Sequence, residues 1–510
     1  MTNRFKRVAL RAAVPLLAGA VSALGFEPLT LWPLTFLAIA VLLERVARAR
    51  TAREAFGAGW YFGVGHFIVG LNWIATAFTY QANMPASFGI GAVFLLSLYL
   101  ALFPAISGAV AWRVYRGRGP SIGYVFLFAA VWIVCEWLRA TLFTGFAWNP
   151  LGTVWLAVPP IARSASVIGA YGLSGVLIVV AGALWLAARR QWRPALEVAV
   201  VPVVLAVTFV AMPGKSVGSG IPVRIVQPNI GQDEKYDPEQ VERHERIYLQ
   251  LSRKPGPEPR LLLWPEDATL RFLDLEPKAR ATLAALLGPN DILLTGGESV
   301  TVDEQGHADT YHNSVFALDN RARILWRYDK AHLVPFGEYL PLRPILERIG
   351  LSRLVPGEGD FASGPGPRTF PVPPFGTVAV QICYEIIFSG QVLDRAHRPA
   401  FLFNPSNDAW FGAWGPPQHF AQARMRAIEE GVPVVRATPT GISGVIGPLG
   451  QVVSTLPAGR EGVLDAIVPP RNEATVFARL GLWASALFAL ALGVAGFVLR
   501  FRRGGTAVAE

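Results

Sequence analysis

The sequence predicts a polytopic α-helical membrane domain, with about eight transmembrane helices, joined to an extramembrane α/β domain. Three observations predict it: a composition too apolar for a soluble chain, apolar runs of spanning length, and basic clusters in alternate loops. Of 510 residues, 52% are hydrophobic and only 16% charged, with a mean hydropathy of +0.38. A soluble chain of this length needs more charge to cover its surface. The formal charge of +10 would suit nucleic acid, but the Lys and Arg lie in short clusters between apolar runs. Zinc-finger spacing and RNA-binding aromatic signatures are missing, so no nucleic-acid partner is expected.

Apolar runs cover approximately Val8–Gly25, Leu29–Leu43, Ala55–Phe78, Phe88–Trp112, Ile122–Leu138, Ile161–Ala187 and Leu196–Met212, and a last one covers Val476–Leu499. Most reach the ~20 residues that cross a hydrocarbon core. The second is short and interrupted by Pro33. The first follows Arg4, Lys6 and Arg7 but shows no convincing cleavage site, so it reads as a retained span. The expected domains are therefore 1–212, 213–475 and 476–510, with seven spans before the extramembrane part and one after it. Basic clusters at Arg45–Arg53, Arg113–Arg118, Arg189–Arg193 and Arg500–Arg503 fall in every second loop, while Glu27–Trp32 and Thr79–Ser87 carry almost none. By the positive-inside rule both termini are cytoplasmic and the large segment lies outside.

That segment mixes strand-like runs (Val223–Gln227, Leu261–Trp264, Asp291–Thr295, Ser314–Leu318, Thr377–Ile382, Ala400–Asn404) with helical periodicity at Pro238–Ser252, Pro277–Leu287 and Pro417–Glu430. The Gly- and Pro-rich stretch Leu354–Pro374 reads as a surface loop. Of the two cysteines, Cys135 lies within an apolar run, so a disulfide with Cys383 is not expected.

Three segments look chemical: Leu262-Leu263-Trp264-Pro265-Glu266, Tyr328-Asp329-Lys330 through Gly337-Glu338, and Gln381-Ile382-Cys383-Tyr384-Glu385. Singly each has a bland reading: a solvated loop acid, a surface lysine, a small core thiol. Together they place three reactive types at strand ends, where α/β folds expose such groups. A thiol of ordinary pKa ~8.5 is mostly protonated at neutral pH. A carboxylate such as Glu266 would take its proton, and a fixed cation such as Lys330 would stabilise thiolate and oxyanion. A His-assisted thiol is the rival arrangement, with His312, His332 and His419 as candidates. No HExxH, CxxC or clustered-His spacing occurs, so neither a metal nor a cofactor is expected.

In this order the segments resemble the nitrilase superfamily, whose triad is Glu, Lys and Cys on an αββα sandwich. Tyr328-Asp329-Lys330 through Phe336-Gly337-Glu338-Tyr339-Leu340-Pro341 is similar to one branch, the bacterial apolipoprotein N-acyltransferases. So are Asn407-Asp408-Ala409-Trp410-Phe411-Gly412, Gln418-His419, Val226-Gln227-Pro228-Asn229-Ile230 and Glu136-Trp137-Leu138-Arg139. The resemblance covers nearly the whole chain. It implies acyl transfer from a membrane phospholipid, through a cysteine thioester, to the α-amino group of a diacylglyceryl-cysteine at a lipoprotein N-terminus. It also implies a bacterial inner-membrane enzyme with a periplasmic catalytic domain, expected as a monomer. Cys383 would be the nucleophile, Glu266 the base and Lys330 the oxyanion cation, with Glu338, Tyr384 and Glu385 in support. Where the family often has tryptophan, this chain has Tyr236.

The segment Trp410-Phe411-Gly412-Ala413-Trp414 reads either as a lid that dips into lipid or as packing within the domain. His66, Asn72 and Glu136 are polar groups in or near spans, and intramembrane ionisable groups default to function. Glu136 and Arg139, one helical turn apart, form an expected pair. A membrane-tethered amidase with water as acceptor would share the triad, and a transporter is the non-enzymatic rival. The chain has few midplane charges and no evident two-fold sequence symmetry, which weighs against transport.

Overall fold

The structure, a computed structural model, describes residues 2–80, 85–116, 119–211, 214–253, 258–303, 307–349, 354 and 360–502. Arg118, Met212, Arg503, the side chains of Arg4, Lys6 and Arg7, and most of 350–359 fall outside the described parts. The chain divides into two compact units: Met1–Ala75 with Gly89–Pro213 and Thr475–Glu510, and Thr76–Phe88 with Gly214–Ala474.

The first unit is helical. Among the described residues, Ser87–Tyr115, Ile122–Thr141, Ala165–Ala188, Trp192–Phe209 and Leu482–Phe501 are each long and apolar enough to cross a membrane. Ala52–Gly70 with Ile74–Tyr80 adds a sixth if that bent pair counts as one span. The apolar helix Arg11–Ala23 is shorter. Trp32–Ala47 has 16 residues, because Pro33 is tolerated only in its first turn, where the missing N–H costs nothing. Helices Thr2–Ala23 and Ala52–Gly70 cross at glycines. A Cβ on Gly19 would lie 1.9 Å from the Phe62 carbonyl oxygen, and one on Gly65 2.0 Å from that of Leu16. Small residues at such crossings let backbones touch where lipid supplies no hydrophobic drive.

Among the described residues the second unit holds fourteen strands. They are β1 (Ser216–Val217), β2 (Ile221–Gln227), β3 (Leu261–Leu263), β4 (Ile292–Val302), β5 (Ala308–Asp319), β6 (Ile324–Asp329) and β7 (Thr369–Pro371). The rest are β8 (Thr377–Val380), β9 (Phe401–Pro405), β10 (Val434–Ala437), β11 (Ser443–Ile446), β12 (Val452–Leu456), β13 (Gly462–Val468) and β14 (Arg471–Asn472). One six-stranded sheet runs β13-β2-β3-β4-β5-β6, another β12-β11-β10-β9-β8-β7, and β1 pairs with β14. Inner faces of both sheets share one core: Leu261, Leu263, Ile292 and Leu294 from the first, Val378, Val380, Phe401, Phe403 and Val435 from the second. The intervening Leu262 and Leu293 pack on the opposite face with Tyr248, Trp264 and Leu283, beneath helices Val241–Ser252 and Pro277–Ala284. Alternate residues of a strand face opposite ways, so one short run of leucines serves two layers. Helix Gly415–Glu430, buried along most of its length, packs on β10 and β11. The layers are those of an αββα sandwich.

Most expected elements appear with shifted ends. Asp291–Thr295 and Ser314–Leu318 grow into the long hairpin β4–β5, paired from Ile292↔Asp319 to Val302↔Ala308. The expected loop 354–374 contains β7. Strands β1, β6 and β10–β14 have no counterpart among the expected strand-like runs.

Candidate active site

Three backbone terminations deliver the central groups. After β3, Trp264-Pro265 stops the ladder and Glu266 turns inward, 6% exposed. Lys330 follows β6 directly, its N–H on the Asn313 carbonyl at 2.9 Å. Beyond β8, Cys383 opens a short 3₁₀ turn, Cys383–Ile387, with φ of +50°. A non-glycine residue in the left-handed region costs roughly 1–3 kcal/mol and persists only where its surroundings over-determine it. Glu385 supplies part of that determination by accepting from the Ile382 N–H at 2.6 Å.

The structure brings Glu266, Lys330, Glu338 and Cys383 together. Lys330 Nζ donates to Glu338 Oε1 at 2.9 Å and to Glu266 Oε1 at 3.2 Å, and it is 1% exposed. Asn313 Nδ2 bridges the same two oxygens at 2.8 Å each. Glu338 Oε2 accepts from the Val334 N–H at 2.8 Å, and Glu266 Oε2 from the Asn407 N–H at 2.7 Å. The Cys383 thiol is a neighbour that helps to hold the Glu266 carboxyl low. Every carboxylate oxygen of Glu266 and Glu338 is thus paired, as burial of charge demands.

Electrostatics follow from this packing. Burial alone would lift the Glu266 carboxyl, but Lys330, the Asn313 amide and Lys235 outweigh it and hold it below the ordinary range. For Lys330 burial favours the neutral amine, and Glu266, Glu338 and Cys383 reverse that and raise its pKa. Burial and then Glu266 push the Cys383 thiol well up, against the pull of Lys330. The resting pair is therefore a protonated thiol beside a carboxylate.

Glu385 lies to one side of this cluster. Its carboxylate accepts from Tyr328 Oη at 2.9 Å and from the N–H groups of Ala331 (2.8 Å) and His332 (3.1 Å). It thereby ties the Cys383 turn to the chain that follows Lys330. Burial pushes it up to about 7, against Lys330 and its N–H donors. Tyr384 stands edge-on to Phe388 and His332, with ring centroids 5.2 and 5.8 Å apart.

The outer candidates sit differently. Tyr236 donates through its hydroxyl to Asp267 Oδ2 at 2.9 Å, beside a Lys235–Asp267 pair at 2.8 Å. Trp410 and Phe411 are half-buried: Trp410 meets Tyr80 edge-on at 5.8 Å, and Phe411 meets His419 at 5.9 Å. Trp414 caps the start of helix Gly415–Glu430. Of the rival histidines, His312 Nδ1 is on the Ala362 carbonyl (3.0 Å) and His332 stacks on Phe388 (3.8 Å). His419 reaches the Cys383 carbonyl through Nε2, 3.1 Å away.

Potential ligand atoms of Cys383, Asp408 and His419 lie within 4.8 Å of one another. Arg436 occupies both Asp408 and the His419 Nδ1 edge, and a buried guanidinium there opposes any cation. Sequence reasoning missed Asn313, Arg436 and the Tyr328–Glu385 bond, and it named Asp408 only within a motif, without its partners. Their signal lies in strand pairing, such as Ser314↔Asp329, which puts Asn313 next to Lys330.

Two family models match the chain: an apolipoprotein N-acyltransferase N-terminal domain over residues 18–183 and a carbon-nitrogen hydrolase over 223–475. Apolipoprotein N-acyltransferase of Rhodopseudomonas palustris is 38% identical over 507 residues, 94% of each chain. That of Bradyrhizobium diazoefficiens is 36% identical over 506 residues, again 94% of each. Among solved structures, Saccharomyces cerevisiae Nit3, of the nitrilase superfamily, aligns at 20% identity and a TM-score of 0.35, covering 59% of this chain and 99% of that one. With helices of spanning length, a carbon-nitrogen hydrolase sandwich and near-full-length relatives, the chain belongs to the apolipoprotein N-acyltransferase family, membrane acyltransferases of the carbon-nitrogen hydrolase superfamily.

Proposed function

We propose that this enzyme moves a fatty acyl chain from a membrane phospholipid to Cys383, and from there to the α-amino group of a diacylglyceryl-cysteine at a lipoprotein N-terminus. In the first half-reaction Cys383 Sγ attacks the ester carbonyl carbon while Glu266 takes the thiol proton. Lys330 faces the oxyanion of the tetrahedral intermediate, a contribution of ~3 kcal/mol for a single donor of this kind. Collapse breaks the C–O bond, Glu266 returns the proton to the leaving oxygen, and a thioester remains. In the second half-reaction the neutral amine attacks that thioester, Glu266 accepts its proton, the C–S bond breaks and the thiol is restored. Splitting one ester-to-amide transfer in this way predicts ping-pong kinetics.

The observation that carries the reading is a buried thiol beside a buried carboxylate that Lys330 contacts at 3.2 Å and keeps charged. Glu338, Asn313 and Glu385 orient this trio; Tyr384 flanks it. Tyr236, Trp410, Phe411 and Trp414 form the lipid-facing side, where amphipathic rings suit an interface. The catalytic part, 213–475, is placed in the periplasm with seven spans before it and one after, and both termini in the cytoplasm. The basic clusters of alternate loops support that orientation.

The test is intact mass after incubation with phospholipid. A fatty-acyl adduct is expected on the wild-type enzyme, absent in Cys383→Ser and in Glu266→Gln. Adding a diacylated lipopeptide should discharge it to an N-acylated peptide. Discharge to free fatty acid alone would favour a water-using amidase instead.

A further inference from the structure

The carboxyl ends of the adjacent parallel strands β8, β9 and β10 converge on buried polar side chains behind the nucleophile. Arg436 on β10 pairs in register with Asn404 on β9. Its guanidinium donates to Asn404 Oδ1 and to Asp408 Oδ2, and Nη2 lies 3.0 Å from His419 Nδ1. Asp408 Oδ1 is 2.9 Å from the same ring nitrogen. The far nitrogen, Nε2, meets the Cys383 carbonyl oxygen at 3.1 Å, and Asn404 Nδ2 meets it at 3.4 Å. Arg436 and His419 are 0% exposed and Asp408 1%.

We propose that His419 is a positioning residue: seated by Arg436 and Asp408, it donates Nε2–H to the Cys383 carbonyl and fixes the left-handed turn that aims the thiol at Glu266. Burial and Arg436 lower the imidazole pKa, so the ring is neutral. Acceptors face both ring nitrogens, the Cys383 carbonyl at Nε2 and Asp408 Oδ1 at Nδ1. The one proton goes to Nε2, because Arg436 Nη2 donates both to Nδ1 and to Asp408 and so offsets the acceptor there. The neighbour of Asp408 is Asn407, whose N–H holds Glu266 Oε2. One buried node therefore sets the backbone on both sides of the thiol–carboxylate pair. A turn that relaxed from φ of +50° would swing the sulfur away from its base.

This inference rests on Cys383 being the nucleophile. Full-length protein carrying Cys135→Ala leaves one thiol to follow by intact mass. Acyl-adduct formation from phospholipid and alkylation by iodoacetamide are measured for His419→Phe, His419→Gln and His419→Asn, each with its melting temperature. Small misplacements cost up to ~100-fold, so His419→Phe and His419→Asn should slow adduct formation at least ~10-fold. His419→Gln, whose amide reaches the Nε2 position, should restore most of the rate. The acceptor lipopeptide KM should not move. If His419→Phe does not fold, the Asn–Gln contrast decides. Folded variants that all acylate and alkylate at the parental rate overturn the proposal. A parental protein that never forms the adduct would overturn the thioester reading instead.

Discussion

Two of the places where the chain buries charge use it in different ways. In the catalytic unit, Lys330 sits between Glu266 and Glu338, and a neutral donor, Asn313, spans the same oxygens. The charges there face one another and a thiol. In the helical unit, Glu136 and Arg139 lie one turn apart on Ile122–Thr141, yet both are directed at backbone of the segment that follows. Glu136 Oε1 accepts from the Leu151 N–H (2.9 Å) and the Trp132 indole (3.1 Å), while Arg139 Nη1 donates to the Trp148 carbonyl (2.8 Å). The second cluster pins a non-helical stretch that hydrocarbon could not solvate. The first concentrates charge where a reaction develops it. Burial alone, then, does not mark a site; what the charges point at does.

Substitutions separate the two. The largest effect is expected for Lys330→Met, which strips two buried carboxylates of their cation. Acyl-adduct formation should fall by at least ~100-fold, and the catalytic unit should lose ~3–5 kcal/mol, as when one partner of a buried pair is removed; adduct mass and denaturant unfolding report each. Asn313→Ala keeps the ion pairs and removes the shared donor. It should slow the first half-reaction by ~10-fold, from a charge-assisted hydrogen bond of about 1.5–3 kcal/mol, in single-turnover kinetics with the acceptor omitted.

Glu385→Gln tests the neighbouring acid. Its carboxyl is raised from 4.5 to about 7, so the native state binds its proton more tightly than the unfolded chain does. That stabilisation is complete below about pH 4.5 and lost as pH rises through 7, on the order of 3 kcal/mol in all. The variant's melting temperature should therefore vary less between pH 5 and 8 than the wild type's. Smallest is Glu136→Leu, which leaves the Leu151 N–H without its acceptor, a cost of ~1–3 kcal/mol. Folded molecules should acylate at the parental rate; a large loss of activity per folded molecule would erase the contrast between the clusters.

How much of this was legible in the sequence depends on range. Strand ends were readable because Leu262-Leu263-Trp264 stops at Pro265, and because Val378-Ala379-Val380 stops just before Cys383. Helical spans were readable from apolar length, although Trp32–Ala47 shows that an apolar run need not become a full-length helix. Partners were not readable. Asn313 acquires its role from the β5–β6 register, and Arg436 from the β9–β10 register; pairing is a tertiary fact that no local pattern carries. His419 was among the histidines considered as a thiol partner, but contact with a carbonyl rather than the sulfur is set by how helix Gly415–Glu430 lies, not by spacing.

Thr76–Phe88 belongs to the catalytic unit although it precedes most of the helices in the chain. Thr76 lies against Gly412, where a Cβ would come within 2.7 Å of its hydroxyl, and Tyr80 meets Trp410. Translation therefore makes the first piece of this unit long before the remainder. Several helices and then the whole 214–411 stretch are synthesised before Gly412. Excision at 213 and 475 would not release an intact catalytic body, because a strip of its surface would stay behind with the helices.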